Sequence, residues 1–216
     1  MQLNRFLRIH VIALFFACAV FTLARAQTNP GAKGIFEGNS DVGATLHAGA
    51  VEYDAASGVY TVSGGGENIW STNDAFHFVW KKVSGDVTLA ADVAFVGTGG
   101  APHRKACLFL RQSLDSDSVY ADAAVHGAGL TSLQYRSAKG EPTKQIQSKA
   151  TGPKRVRIEK RGNIVTMSLS NSDGKLEPLE GSVEITLKDP FYVGLAVCAH
   201  DNLALEKAAF SKVELK

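Results

Sequence analysis

The sequence lacks the features that mark several large classes of protein. After residue 26 it has no apolar run near the roughly 20 residues that a membrane-spanning helix needs. It has no internal repeat, no low-complexity tract and no cluster of basic residues. These absences exclude a membrane span after residue 26 and give no support to nucleic-acid binding.

The chain also lacks the common catalytic motifs. There is no G-x-S-x-G elbow for a serine nucleophile, and Gly64-Gly65-Gly66 is not followed by the Lys-Ser/Thr of a phosphate loop. The E-x-D-x-x-E strand pattern of sandwich-fold glucanases is absent as well. Glycoside hydrolysis needs two carboxylates facing each other across a sugar, and no spacing in this sequence indicates such a pair.

Cysteine is scarce, and the first of the three cysteines lies in a segment that resembles an export signal. Arg5 and Arg8 precede an apolar run over residues 11–23, and Ala24-Arg25-Ala26 places small residues at −3 and −1 of a cleavage site. We therefore expect residues 1–26 to be a signal peptide and the mature protein to begin at Gln27, secreted or periplasmic. The signal contains three arginines and no acid, so the net charge falls from +2 to −1 on cleavage.

The two remaining cysteines, Cys107 and Cys198, would then be in an oxidising compartment. Both fall in apolar, strand-like runs. A disulfide between them and a pair of buried thiols are therefore both open interpretations.

The chain does have many short runs in which apolar and polar residues alternate. No stretch as long as a helix has apolar residues at the 3.6-residue spacing of a helix. Turn-forming residues such as Ser84-Gly85-Asp86 and Arg161-Gly162-Asn163 separate the runs. Nine or more short strands with frequent turns are typical of a two-sheet sandwich or a barrel. We predict an all-β, two-sheet antiparallel domain over residues 41–216, preceded by a polar, flexible lead-in over residues 27–40.

Several segments in the same order resemble one family. They are Gly58-Val59-Tyr60-Thr61-Val62-Ser63-Gly64-Gly65-Gly66, Asp74-Ala75-Phe76-His77-Phe78-Val79-Trp80-Lys81, Lys105-Ala106-Cys107-Leu108-Phe109-Leu110-Arg111 and Tyr192-Val193-Gly194-Leu195-Ala196-Val197-Cys198-Ala199-His200. The family is the bacterial concanavalin A-like domain called "regulation of enolase protein". The resemblance implies a jelly-roll sandwich of the laminin G or concanavalin A type and a carbohydrate ligand.

Alternation also sorts side chains by sheet face, because successive residues of a strand point to opposite sides. If the apolar residues of each strand point between the sheets, the alternate residues form a second face, which the sequence predicts to be polar and aromatic. It comprises His77, Phe109, Arg111, Tyr120, Asp122, His126, Gln134, Arg136, Tyr192, Cys198 and His200. Aromatic rings beside fixed polar groups suit a sugar.

From this face we predict a ligand surface of His77, Arg111, Tyr120, Asp122, Gln134 and His200. Arg111 and Asp122 could instead form a structural ion pair. Trp70, beside the glycine run, is either an exposed sugar platform or a core residue.

The sequence predicts no zinc site and no catalytic residue. The strand histidines lack close spacings such as H-x-H. The loop Asp115-Ser116-Asp117-Ser118 has oxygen ligands that would suit calcium, or it forms an Asx-type turn.

The sequence therefore favours a secreted, noncatalytic, lectin-like module that binds a glycan or polysaccharide. Two alternatives stay open: a secreted glycoside hydrolase or lyase of the same fold, and a protein-interaction domain.

Overall fold

The computed structural model describes residues 33–216, and all of their regular secondary structure is β-strand. The strands are β1 (Gly38–Val42), β2 (Ala50–Asp54), β3 (Val59–Gly64), β4 (Ile69–Trp70), β5 (Asn73–Asp74), β6 (Phe76–Val83), β7 (Val87–Phe95), β8 (Lys105–Arg111), β9 (Tyr120–His126), β10 (Thr131–Arg136), β11 (Lys144–Gln147), β12 (Arg155–Arg161), β13 (Ile164–Ser170), β14 (Leu176–Pro178), β15 (Val183–Glu184), β16 (Phe191–Cys198) and β17 (Glu206–Leu215). Within residues 33–216, no helix has the length and apolar character to cross a membrane. The predicted signal peptide, residues 1–26, lies outside the described residues.

Two antiparallel sheets form the sandwich. One has seven strands in the order β1-β6-β16-β8-β9-β10-β11, and the other runs β14-β13-β12-β7-β17-β3-β2, with β15 added beside β13. A separate two-stranded hairpin consists of β4 and β5. The predicted all-β, two-sheet antiparallel fold is confirmed.

The main core lies between the two sheets and follows the alternation of the sequence. On β7, Val87, Leu89, Ala91 and Val93 belong to this core, as their shared phase in the sequence predicts. On β8, Ala106, Leu108 and Leu110 contribute to the same core. Each strand thereby buries one apolar face, which is what holds a sandwich together.

The seven-stranded sheet carries a second apolar cluster on its outer face, which we define as the face turned away from the eight-stranded sheet. The buried members of this cluster are Val42, Ile69, Phe76, Phe78, Cys107, Phe109, Tyr120, Ala124, Ala196 and Cys198. Its rings are in contact: Phe76 and Phe109 stack with centroids 5.1 Å apart, as do Phe109 and Tyr120 at 5.0 Å. Both faces of this sheet are therefore apolar in part.

The described part of the predicted lead-in, residues 33–40, contacts the sandwich. Phe36 is buried in the main core and contacts Tyr60 edge-on, with ring centroids 5.2 Å apart. The first strand starts at Gly38 and pairs with β6. Residues 33–40 therefore belong to the sandwich, because an aromatic side chain in an otherwise polar segment has apolar surface to bury.

Candidate functional site

The outer face of the seven-stranded sheet collects four of the predicted site residues. Arg111 on β8 is opposite Tyr120 on β9, and Asp122 on β9 is opposite Gln134 on β10. Successive side chains of a strand point to opposite faces, and these four alternate in step with Phe109 of the outer cluster, whereas Leu108 faces the core. All four therefore point to the outer face.

These four side chains do not form a continuous open groove, and of the four only Gln134 lines a cavity described below. Arg111, Tyr120 and Asp122 are fully buried and Gln134 is 1% exposed. The segment of residues 64–75, here called the cover segment, lies over them and contributes Ile69 to the outer cluster. The expected concave ligand surface is therefore largely filled by the protein itself.

Asp74, at the end of the cover segment, is the centre of a buried ion network. Its Oδ2 accepts hydrogen bonds from Arg111 Nη1 and Arg136 Nη1, both at 2.9 Å, and its Oδ1 accepts one from Arg136 Nη2 at 2.8 Å. The three side chains are almost completely buried. Arg111 thus pairs with Asp74, which corrects the predicted partner Asp122.

Asp122 has an unusual position for a carboxyl group. It is fully buried, and neither carboxyl oxygen has a hydrogen-bond partner among the described residues. Burial raises the pKa of Asp122 well above its usual range, while the nearby charge of Lys105 acts in the opposite direction.

His77 does not belong to the outer face. Its neighbours Phe76 and Phe78 are members of the outer cluster, so His77 points to the other side of β6, with the core residue Val79. There its Nδ1 is 2.8 Å from Asp41 Oδ1. Burial lowers the pKa of His77, although the Asp41 contact raises it. The assignment of His77 to the ligand face is corrected on this geometry.

An open cavity remains at the end of the outer face where β8 begins and β9 ends. Its volume is about 220 Å³, and we call it the histidine cavity. It is lined by Asn68, Trp70, His103, Lys105, His126, Leu130, Gln134, Gln145 and His200. The ring centroid of His103 is 5.8 Å from that of His126 and 5.5 Å from that of His200.

The chain positions these groups through strand register. Lys105 is opposite His126 on one side and opposite Cys198 on the other, so the start of β8 lies between the ends of β9 and β16. His200 follows β16 by two residues, and His103 lies in the loop that precedes β8. Three elements distant in sequence thereby bring their imidazoles to one cavity.

The electrostatics of the histidine cavity depend on Lys105. Its ammonium group donates a hydrogen bond to Asn68 Oδ1, and the side chain is almost fully buried. Burial, together with the charge of Lys105, lowers the pKa of His126 to about 4 and lowers that of His200. Near neutral pH these two imidazoles are therefore uncharged.

Two polar atoms at the cavity have no partner within the described residues, namely Gln134 Oε1 and His200 Nδ1. His126 differs, because its Nδ1 lies 2.9 Å from the carbonyl oxygen of Leu130. That contact assigns the Nδ1–H tautomer to neutral His126. Unpartnered buried polar atoms cost free energy unless a ligand or water supplies the missing hydrogen bond.

A second, larger cavity of about 590 Å³ is also lined by Trp70. We call it the asparagine cavity, since Asn68, Asn73 and Asn202 all line it. Trp70 and Asn68 line both cavities. Trp70 is half-buried, so it is neither a core residue nor a fully exposed side chain.

The described residues offer little to a metal ion. Among residues 33–216 there is no group of three or more His, Cys, Asp or Glu side chains in an arrangement that could hold one. In the loop considered for calcium, Lys139 Nζ lies 2.5 Å from Asp115 Oδ2 and 3.2 Å from Asp117 Oδ1. The ammonium group of Lys139 thus contacts both of the carboxylates that a calcium ion would need.

The two described cysteines are free and buried. They lie on neighbouring strands and face the same side, as members of the outer cluster. However, Cys107 is opposite Ala196, whereas Cys198 is opposite Lys105, so the cysteines are diagonal neighbours. Diagonal Cα atoms are about 7–8 Å apart, beyond the usual disulfide range. Of the two interpretations that the sequence left open, the structure has the pair of buried thiols and not the disulfide.

Sequence reasoning missed Asp74, His103 and Lys105. A usable signal existed for Lys105, which has the same phase as Cys107 and Arg111 on one strand. Asp74 and His103 lie in segments without a clear alternating phase, so only the folded chain shows where their side chains are.

No protein-family model matches the chain, and no curated protein matches it. Solved structures do match. A functionally unknown protein from Saccharomyces cerevisiae has a TM-score of 0.60 at 13% identity, with 82% of this chain and 95% of that chain covered.

Two further matches have named functions. A family 7 alginate lyase, A1-II', in complex with product has a TM-score of 0.51 at 11% identity, covering 77% of this chain and 82% of that one. The lectin UEA-II complexed with galactose has a TM-score of 0.50 at 11% identity, covering 82% and 96%. At these identities the likeness shows the fold alone: the chain has the jelly-roll sandwich that concanavalin A-like lectins and family 7 alginate lyases share.

Proposed function

We propose that the protein is an exported, noncatalytic carbohydrate-binding protein, related to the "regulation of enolase" domain that its sequence resembles. Its binding site consists of the histidine cavity, the asparagine cavity and Trp70 between them. The observation that carries the proposal is Trp70, a half-buried indole that lines two cavities rich in amide side chains.

The chemistry of this arrangement suits a sugar. The apolar face of a pyranose ring packs on an aromatic ring, and amides supply both donors and acceptors for its hydroxyl groups. Asn68, Gln134 and Gln145 serve this purpose in the histidine cavity, while Asn73 and Asn202 do so in the asparagine cavity. The likeness to a lectin solved with galactose and to an alginate lyase solved with product supports the same ligand class.

The carboxylates argue against a glycoside hydrolase. The histidine cavity has no Asp or Glu in its lining. The asparagine cavity has Glu67 and Asp74, but both oxygens of Asp74 are already bound to arginines. A hydrolase needs a pair of carboxyl groups free to act on either side of one bond.

The test is a calorimetric titration of the mature protein with a panel of mono- and polysaccharides, repeated with Trp70→Ala. We expect saccharide binding by the wild type and at least tenfold weaker binding by the variant, because truncating a central aromatic contact costs about 2 kcal/mol or more.

Trp80→Ala is the matched control, since it removes an indole that packs near the same outer cluster but lines neither cavity. It should bind like the wild type once its folded state is verified by circular dichroism. Absence of binding across the panel would refute the proposal, and release of shortened or unsaturated products by the wild type would refute its noncatalytic part.

A further inference from the structure

Lys105 presents an unusual charge at the histidine cavity. Its side chain is 2% exposed, and within the described residues no carboxylate lies within salt-bridge distance of it. Its one hydrogen-bond acceptor is the neutral amide oxygen of Asn68. A buried ammonium group is costly unless it is paired, and it can donate three hydrogen bonds.

The nearest acids do not supply that pairing. Asp122 is close enough to sense the charge of Lys105, but its carboxyl oxygens form no hydrogen bond or salt bridge with the ammonium group. Glu67 is exposed and lines the asparagine cavity instead. Among residues 33–216, Lys105 therefore has no carboxylate in direct contact with its ammonium group.

The neighbouring groups add hydrogen-bond donors to this charge. His103 and His200 line the cavity, and each neutral imidazole carries one N–H, while the side-chain amides of Gln134 and Gln145 carry N–H donors as well. The N–H of neutral His126 is already donated to the carbonyl oxygen of Leu130. The same arrangement opposes a metal cation, because Lys105 would repel it. A cavity with one cation and several N–H donors fits the oxygens of an anion.

The size of the cavity limits what can enter. Its volume of about 220 Å³ is below the roughly 300–1,000 Å³ of most ligand pockets. The histidine cavity therefore has room for a single sugar residue. Because Asn68 and Trp70 also line the asparagine cavity, the following residue of a longer chain would lie there.

We infer that the histidine cavity binds one anionic sugar residue, with its carboxylate or sulfate group on Lys105. The inference rests on the proposed function and adds to it the chemical class of the ligand. A neutral sugar would leave the ammonium group unpaired, whereas an anionic sugar supplies the missing charge. The exposed His103 lies at the edge of the cavity and donates to the same group.

The experiment compares matched pairs of sugars by calorimetric titration of the mature protein. Glucuronate is compared with glucose, and galacturonate with galactose. Glucose 6-sulfate and inorganic sulfate form two further arms. We expect the anionic sugars to bind at least about tenfold more tightly than the neutral ones, the ratio typical of one charged hydrogen bond. The sulfate arms identify which acid group is preferred.

The variant Lys105→Met removes the charge and retains the apolar stem, and it should abolish the preference for the anionic sugar. The matched control is Lys160→Met, which removes another buried lysine that donates to a backbone carbonyl, that of Gly85, on the other sheet. This control should keep the preference. If Lys105→Met does not fold, His103→Ala changes an exposed loop residue and should reduce the preference several-fold.

Equal affinity of the wild type for anionic and neutral sugars would overturn the inference while leaving carbohydrate binding intact. Retention of the preference by folded Lys105→Met would overturn it as well. Failure of the proposed function would differ from both outcomes, since no saccharide of either kind would bind. Binding of inorganic sulfate alone, with no uronate or sulfated sugar bound, would also count against it.

Discussion

At the scale of single residues, the most constrained group is Asp74 with its two arginines. The network has one more positive charge than negative, and backbone carbonyls compensate for it. Arg136 donates to the carbonyl oxygens of Glu141 at 2.8 Å and Ser71 at 3.0 Å, and Arg111 donates to that of Ser113 at 2.7 Å. The two guanidinium groups thereby connect the cover segment to two loops of the sheet.

Asp74→Asn should be strongly destabilising, because it keeps the size of the side chain and leaves two buried cations without a carboxylate. We expect a loss of about 3–5 kcal/mol in the free energy of unfolding, measured by urea denaturation with circular dichroism. The control Asp92→Asn removes a carboxylate that contacts Arg155 and the exposed Lys212 near the surface, and should cost about 1 kcal/mol. Equal losses in the two variants would show that the Asp74 network contributes no special stability.

Alternation identified the face of many residues but not of all. Arg111, Asp122 and Gln134 could be assigned to one face, because their strands have a clear apolar phase that faces the core. The same reasoning misplaced His77, because Phe76 and Phe78 were assumed to face the core and belong to the outer cluster instead. When both faces of a strand are apolar, the alternation of residue types does not show which face points to the core between the sheets.

At the scale of elements, the cover segment decides how much of the outer face is open. Ala75 N donates to Asn68 O at 2.7 Å, and Asp74 N donates to Ser116 O at 2.9 Å. The glycines at its start allow close contact with the sheet: a Cβ on Gly64 would lie 2.1 Å from the carbonyl oxygen of Val197. A run of three glycines favours a turn, but its contacts join residues distant in sequence, so its place over the sheet was not predictable from the sequence.

Gly66→Ala tests whether this geometry is needed. Gly66 has a φ of +97°, and an added Cβ would meet the carbonyl oxygen of Ala75 at 2.0 Å. We expect a destabilisation of at least about 2 kcal/mol and weaker saccharide binding, because Asn68 and Trp70 follow directly. The measurements are thermal unfolding and calorimetric titration.

Gly58→Ala is the matched control for that substitution. Gly58 has a φ of +68°, and no heavy atom lies within 4 Å of an added Cβ. It should lose only the roughly 1–2 kcal/mol of the left-handed conformation and should bind saccharides normally. If Gly66→Ala behaves in the same way, the close contact of the cover segment with Ala75 has no role in shaping the site.

At the scale of the whole molecule, the seven-stranded sheet packs against an apolar layer on each of its two faces. Its inner face forms the sandwich core. Its outer face is largely buried beneath the cover segment, while the histidine cavity stays open and Trp80 and Tyr192 are half-buried. The two-sheet fold was predictable because every strand run has a face to bury. The loss of an open groove was not, since alternation describes strands and not the segments that cross over them.

The compartment and the state of the cysteines can be tested together on exported protein. We expect the mature chain to begin at Gln27 and to carry two thiols, because diagonal register separates Cys107 from Cys198. Burial raises the pKa of Cys198 to about 11 and that of Cys107 well above its usual range. Both thiols should therefore resist alkylation in the native protein.

The intact mass after alkylation in denaturant, without reductant, should match residues 27–216 with two alkyl groups, while the native protein should gain none. Cys198→Ala, the control, should gain one alkyl group in denaturant. A mass without alkyl groups until reductant is added would show that export does form the disulfide. A mass that includes residues 1–26 would contradict the cleaved signal peptide, and with it the expectation that the cysteines meet an oxidising compartment.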